Sequence, residues 1–165
     1  MTILDPFSFE VSSGSEEQTL RLGARLGALL PKRMCVALQG ELGAGKTAFS
    51  RGIGEGWNAD QPLRSPTFTL VQCHRRDNGD VLYHVDLYRV QNTNDLASIG
   101  LEEILDADAI CLIEWSERAS HMIPSDALRV DIRVISETKR QLKFSANSEE
   151  TWKILVAFRK SAFGI

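Results

Sequence analysis

An α/β fold with a mostly parallel central sheet and antiparallel additions is what this sequence predicts, and three stretches predict it. Gly40-Glu41-Leu42-Gly43-Ala44-Gly45-Lys46-Thr47 reads G-x-x-x-x-G-K-T, the phosphate-binding P-loop. It lies between a short apolar run, Met34 to Leu38, suited to a buried strand, and a segment from Ala48 to Glu55 that continues as a helix. A second apolar run, Ala109 to Ile113, ends in Glu114 and Trp115, the pattern of a buried strand delivering an acid at its carboxyl end. Finally, Leu128 to Val134 alternates apolar and polar residues and Gln141 to Phe144 returns as its hairpin partner, giving half-exposed antiparallel strands at one side of the sheet.

With 165 residues the chain is expected to be a single domain, residues 1–165, large enough to bury a real core. Hydrophobic content of 43% and charged content of 25% are those of an ordinary globular protein, and a net charge of -3 excludes a protein that grips nucleic acid by bulk electrostatics. Cys35, Cys73 and Cys111 are odd in number and widely spaced, which fits reduced thiols in a cytoplasmic protein rather than a disulfide framework or a C-x-x-C metal pair. The first residues, Met1 to Asp5, carry no basic stretch followed by an apolar core, so no signal peptide is expected. No run of about 18 apolar residues suggests a membrane span.

In chain order, Phe7 to Val11 reads as a first strand broken by Ser12 to Ser15. Ser15 with Gln18 three residues on forms a capping box that opens a helix through about Leu30, ended by Pro31, with Leu22, Leu26 and Leu29 on one face. Gly23 and Gly27 in that helix mark close packing against a neighbour. After the P-loop helix, Gly52, Gly54 and Gly56 lead into a polar connection through Arg64. Pro66 forces Ser65 into an extended conformation, so Ser65 to Leu70 is a loop that opens a strand through about His74. Asn78-Gly79 then signals a tight hairpin into Val81 to Leu87. Asn92 to Leu105 reads as one or two short helices broken near Gly100, and Asn147 or Ser148 caps a closing amphipathic helix with Trp152, Leu155 and Val156 inward.

The chemistry of these residues converges on a nucleoside triphosphate. Gly40, Gly43 and Gly45 let the loop curl with its N–H groups inward, and the helix that follows adds unpaired amides and a positive dipole end. Lys46 is placed to lie against the β- and γ-phosphates and Thr47 to offer its hydroxyl to magnesium. Along the strand before Leu87, Leu82, His84 and Asp86 share one face, and an acid at the end of a buried strand is costly unless a charge or a polar contact needs it. Asp86 is therefore a candidate for water positioning or metal, against a helix-capping role. Glu114 is preferred over Asp86 for the metal because its strand is more uniformly buried. His84 reads as a hydrogen-bonded core or interface histidine rather than a base. Thr67 or Ser65 is placed to put a hydroxyl near the γ-phosphate, against ordinary strand formation, and Trp115 is either core or a neighbour of the nucleotide.

Together, G-E-L-G-A-G-K-T at 40–47, S-P-T-F-T-L at 65–70, H-V-D-L-Y-R at 84–89 and L-I-E-W at 112–115 resemble the TsaE family, also called YjeE, from about Ser15 to Glu117. The resemblance implies a P-loop NTPase-like three-layer fold and a magnesium-dependent ATPase needed for the threonylcarbamoyladenosine modification of certain tRNAs. It further implies action on a complex of TsaB and TsaD, with tRNA met only indirectly. By similarity, Leu42, Gly43, Ala44, Gly45, Lys46 and Thr47 bind the phosphates of ATP, and Thr47 and Glu114 hold Mg2+. Asp86 is needed for hydrolysis, Thr67 lies in a switch-like loop, Trp115 lies beside the nucleotide, and Glu16 at the start of the first helix touches its pocket. No arginine finger is identifiable in cis, so hydrolysis by the isolated chain is expected to be slow. A small-molecule kinase is the main rival, but no compact arginine-bearing lid lies between Glu102 and Met122. A GTPase would carry an Asn-Lys-x-Asp run, which is absent from the sequence, and a binding module with ATP as a structural ligand is the third reading.

Overall fold

The computed structural model describes residues 2–5, 7–65 and 70–165. Its strands are β1 (Thr2–Asp5), β2 (Ser8–Ser13), β3 (Met34–Gln39), β4 (Val71–Arg75), β5 (Val81–Asp86), β6 (Ile110–Glu114), β7 (Leu128–Val134) and β8 (Arg140–Ser145). Its α-helices are α1 (Glu16–Gly27), α2 (Lys46–Trp57), α3 (Thr93–Ser98), α4 (Leu101–Asp106) and α5 (Glu149–Phe163). The eight strands form one sheet in the order β1-β2-β8-β7-β3-β6-β5-β4. The central four, β7-β3-β6-β5, are parallel, and every pairing outside them is antiparallel.

Alternation along the central strands divides the core into two layers. Val36 and Leu38 of β3, Ile110 and Leu112 of β6 and Leu82 of β5 face Leu26, Phe49, Ile53 and Phe158 of α1, α2 and α5. Ala37, Cys111, Ile113 and Val85 face the other way, toward Leu96 and Leu101 of α3 and α4. The register sets Asp86 opposite Glu114 at the carboxyl ends of β5 and β6, and Leu38 of β3 beside Glu114. Both acids therefore emerge on the α2 face, where the P-loop turns into its helix.

Four expectations need correction. The β7–β8 hairpin does not lie at one side of the sheet: β7 pairs directly with β3, and β8 carries β2 and β1 beyond it. Helix α1 ends at Gly27, with Ala28 as its cap, before Leu30 and Pro31. Helix α2 begins at Lys46 and runs through Gly52, Gly54 and Gly56 to Trp57 instead of ending at Glu55. Those glycines are not breakers: Gly54 leaves room for the Leu63 side chain, and at Gly52 and Gly56 α1 and α2 meet backbone to backbone. A Cβ on Gly52 would lie 2.1 Å from Leu20 O and one on Gly56 1.8 Å from Ala24 O, while one on Gly23 would lie 2.3 Å from Phe49 O and one on Gly27 2.2 Å from Ile53 O. The helical cost of glycine, about 1 kcal/mol each, is offset by that approach. The β4–β5 connection is a wider turn than Asn-Gly alone suggests, closed by Arg76 N donating to Asp80 O at 3.2 Å with Gly79 in the left-handed region at φ 89.

Other expectations hold with adjustments. Ser15 caps α1 by accepting from Gln18 N at 3.1 Å, but Gln18 Oε1 reaches back one residue further, to Gly14 N, at 2.6 Å. Gly100 separates α3 from α4. Ser148 caps α5, whose buried residues are Thr151, Leu155 and Phe158, with Trp152 and Val156 only partly covered. No helix among the described residues is long and apolar enough to cross a membrane.

Candidate functional site

The loop between β3 and α2 is shaped by two glycines in conformations other residues rarely adopt, Gly43 at φ 78 and Gly45 at φ 106. Arg140, at the start of β8, fixes it from outside, its Nε donating to Ala44 O at 3.1 Å and its Nη2 to Gly43 O at 3.2 Å. Because a trans peptide points its N–H opposite its carbonyl, the Gly45 N–H is turned away from Arg140. Lys46, almost wholly buried, curls back so that its Nζ donates to Gly40 O and, at 2.9 Å, to Glu41 O. The same ammonium lies 4.0 Å above the Trp115 ring. Burial pushes its pKa below the usual lysine value, against the carboxylates of Glu117, Glu114, Asp86 and Glu41, which pull it up.

Facing the loop are the two acids. Glu114 is 1% exposed and both its oxygens are engaged: Oε1 accepts from Thr47 Oγ1 at 3.0 Å and Oε2 meets His84 Nε2 at 2.5 Å. Asp86 is 8% exposed; its Oδ1 accepts from Tyr88 N at 2.9 Å and its Oδ2 from Ser65 Oγ at 3.3 Å. Burial raises the Asp86 pKa; the Tyr88 N–H and the Ser65 hydroxyl oppose that, while the nearby charge of Glu114 adds to it. Trp115 follows Glu114 at φ 59, in the left-handed region where a bulky residue is uncommon. That turn swings its ring over Lys46 and against Tyr88, 5.1 Å between centroids.

Of the residues singled out in the sequence, Glu16, Leu42, Gly43, Ala44, Gly45, Lys46, Thr47, Asp86, Glu114 and Trp115 all line one cavity of about 550 Å³. Its volume is that of an ordinary small-molecule site. Leu42 stands at the exposed tip of the loop, and Glu16 is tied to Arg51 Nη2 at 3.3 Å. Thr67 lies outside the described residues.

Reasoning from sequence missed Arg140, Thr138 and Tyr88, which line the same cavity. No local pattern marks Arg140. Its guanidinium is also taken up by the carbonyls of Ser136, Glu137 and Lys139, so it braces the loop. The oxygens of Thr47 and Glu114 are hard donors on one side of the cavity, a set that fits Mg2+ bound largely through phosphate and water. Among the described residues no three His, Cys, Asp or Glu side chains form a metal cage of their own.

The family described as threonylcarbamoyl adenosine biosynthesis protein TsaE matches residues 13–142 of this chain. The tRNA threonylcarbamoyladenosine biosynthesis protein TsaE of Treponema pallidum is 35% identical over 130 residues, 79% of this chain and 95% of that one. Its counterpart in Rickettsia felis is 38% identical over 142 residues, 83% and 80% of the two chains. The one in Bacillus subtilis is 31% identical over 130 residues, 79% and 80%. A crystal structure of YdiB from Bacillus subtilis superposes with a TM-score of 0.76 at 24% identity, covering 94% of this chain and 96% of that one, and shows the same fold.

Proposed function

The chain belongs to the TsaE family of threonylcarbamoyl adenosine biosynthesis proteins, and from that premise we propose that it is a magnesium-dependent ATPase serving this tRNA modification. The observation that carries the reading is the convergence of Lys46, Thr47, Asp86 and Glu114 on one cavity behind a P-loop. The loop amides from Leu42 to Thr47 receive the phosphates at the α2 N-terminus. Lys46 exchanges its carbonyl partners for the β- and γ-phosphate oxygens, where its charge offsets the charge that grows as the bond to the leaving ADP breaks. Thr47 and Glu114 are the residues that would hold Mg2+, which supplies further neutralisation along the phosphates. Asp86 orients the attacking water and takes its proton as the oxygen bonds to the γ-phosphorus, yielding ADP and phosphate. Trp115 covers the nucleotide, Glu16 borders its pocket from α1, and Thr67 belongs to a switch-like loop.

In this reading residues 1–165 act as one cytoplasmic domain on a complex of TsaB and TsaD, and tRNA is met only through that complex. The net charge of -3 supports the indirect contact. Single-turnover hydrolysis of ATP with and without the TsaB–TsaD complex tests the proposal, with the product identified. Slow phosphate release that accelerates with the complex is expected. No hydrolysis under either condition would overturn it, and transfer of the phosphoryl group to a small molecule would establish a kinase instead.

A further inference from the structure

His84 is fully buried in β5, one alternation below Asp86, and its Nε2 meets Glu114 Oε2 at 2.5 Å. A carboxylate only accepts, so the imidazole donates to it from Nε2. Its Nδ1 is one of five buried side-chain polar atoms with no partner among the described residues. Another is Nε2 of His74, on the neighbouring strand and the same sheet face, where His84 stands opposite Gln72 and His74 opposite Leu82. His74 Nδ1 in turn lies 3.7 Å from Asp60 Oδ1. Two imidazoles thus sit on this face of the sheet, and that of His84 is bound to Glu114. Buried imidazoles in that layer are costly unless the contact they make is needed.

We propose that His84 is the positioning residue of the magnesium carboxylate: by holding Glu114 Oε2 from below, it keeps Oε1 turned toward Thr47 and so presents a preformed hydroxyl–carboxylate pair to the metal. The inference rests on the ATPase reading, since Glu114 and Thr47 are metal ligands only within it. Without His84 the Glu114 carboxylate loses half of its hydrogen bonding and is free to rotate about its last side-chain torsion, leaving Thr47 without a fixed partner. Partners of this kind behind a metal ligand change metal affinity by about 10–100-fold when removed. His84 reaches the P-loop only through Glu114 and the Thr47 hydroxyl, not through the loop amides or Lys46, so binding of nucleotide without metal is expected to change little.

Calorimetric titration of the full chain with ADP, first without metal and then with increasing Mg2+, tests the proposal in His84→Ala and His84→Gln. His84→Ala is expected to bind metal-free ADP within about twofold of the parent while its apparent Mg2+ affinity falls about 10–100-fold. His84→Gln, whose amide nitrogen replaces Nε2–H, is expected to recover most of that loss. An Mg2+ affinity unchanged in His84→Ala, or a metal-free ADP affinity that falls in step with it, would overturn the proposal. Should His84→Ala fail to fold, His84→Gln and the 15N spectrum of the parent imidazole decide: Nε2–H is expected, and an Nδ1–H tautomer of His84 overturns the proposal. A parent chain that binds no nucleotide would sink the ATPase reading itself, and the metal-free titration separates that failure from this one.

Discussion

The two ends of β3 and β6 carry cavities of similar size and opposite character. At the carboxyl ends a cavity of about 550 Å³ gathers Lys46, Thr47, Asp86 and Glu114 around the N-terminus of α2. At the amino ends a larger one, about 650 Å³, is lined by Cys35, Cys111 and Met122 with Glu102, Asp106 and Asp126. The first joins Lys46, the amides of a helix start and the strand-end acids Asp86 and Glu114, with Arg140, Glu16 and Glu137 at its border, and the loop amides and Lys46 complement a metal-bound polyphosphate. The second joins three acids, one arginine, Arg33, and the last turn of α4, with no helix N-terminus of the P-loop kind among its described lining residues to receive phosphates. Its Cys111 thiol is quiet: it donates within a Cys35–Cys111 contact across the β3–β6 register, and that hydrogen bond together with burial holds its pKa well above the usual thiol value. Volume does not identify the working end of this sheet; the sense in which the strands and α2 point does.

The contrast is broken most directly at Lys46. Lys46→Ala should lower ATP hydrolysis by about a thousandfold or more and weaken nucleotide binding, read by phosphate release and calorimetry. Parent-like binding and turnover would mean that the triphosphate does not sit on this loop. Asp86→Asn should separate chemistry from binding, with affinity for ATP within a few-fold and hydrolysis down about 10²–10⁴-fold. Because burial raises the Asp86 pKa, the acid limb of hydrolysis should lie above the ordinary carboxylate range. Ser65→Ala removes a hydrogen bond that opposes the shift and should move that limb further up in a pH–rate profile.

The same shift has a stability sign. With its folded pKa above the unfolded value, Asp86 favours the fold below the unfolded pKa and loses that contribution as pH rises through the folded one. At neutral pH, Asp86→Asn should therefore raise the melting temperature of the nucleotide-free chain slightly, and a lowered one would contradict the burial argument. At the opposite end, Cys111→Ala should leave ATP hydrolysis within about twofold and cost about 1 kcal/mol of stability in urea unfolding. A loss of activity rivaling that of Asp86→Asn would erase the distinction between the two cavities.

Much of the site was legible because its parts are local. The spacing of Gly40, Gly45, Lys46 and Thr47 builds a loop from eight consecutive residues, and acids closing apolar runs announced Asp86 and Glu114 at strand ends. What stayed hidden depends on distant partners. Arg140 reaches Gly43 and Ala44 from the far hairpin, and nothing in its neighbourhood of Lys139 and Gln141 signals this. The role of His84 appears only once the parallel register of β5 and β6 brings it beside Glu114. Gly52 and Gly56 look like chain breakers until Leu20 and Ala24 occupy the space their side chains would need. The hairpin β7–β8 was assigned correctly as a pair but not to its place beside β3, since alternation reveals which faces are wet and not which strand is the neighbour.

The contact of α1 with α2 through their glycines also governs where the molecule can give. Ser15, Glu16 and Thr19 of one helix and Lys46 and Thr47 of the other border the same ligand space, yet carbonyl oxygens locked against Cα atoms leave no play between them. That half of the pocket is an anvil. The remaining wall is formed by Tyr88 and Thr138 from separate segments and by Arg140, which is itself held to Gly43 and Ala44 of the loop.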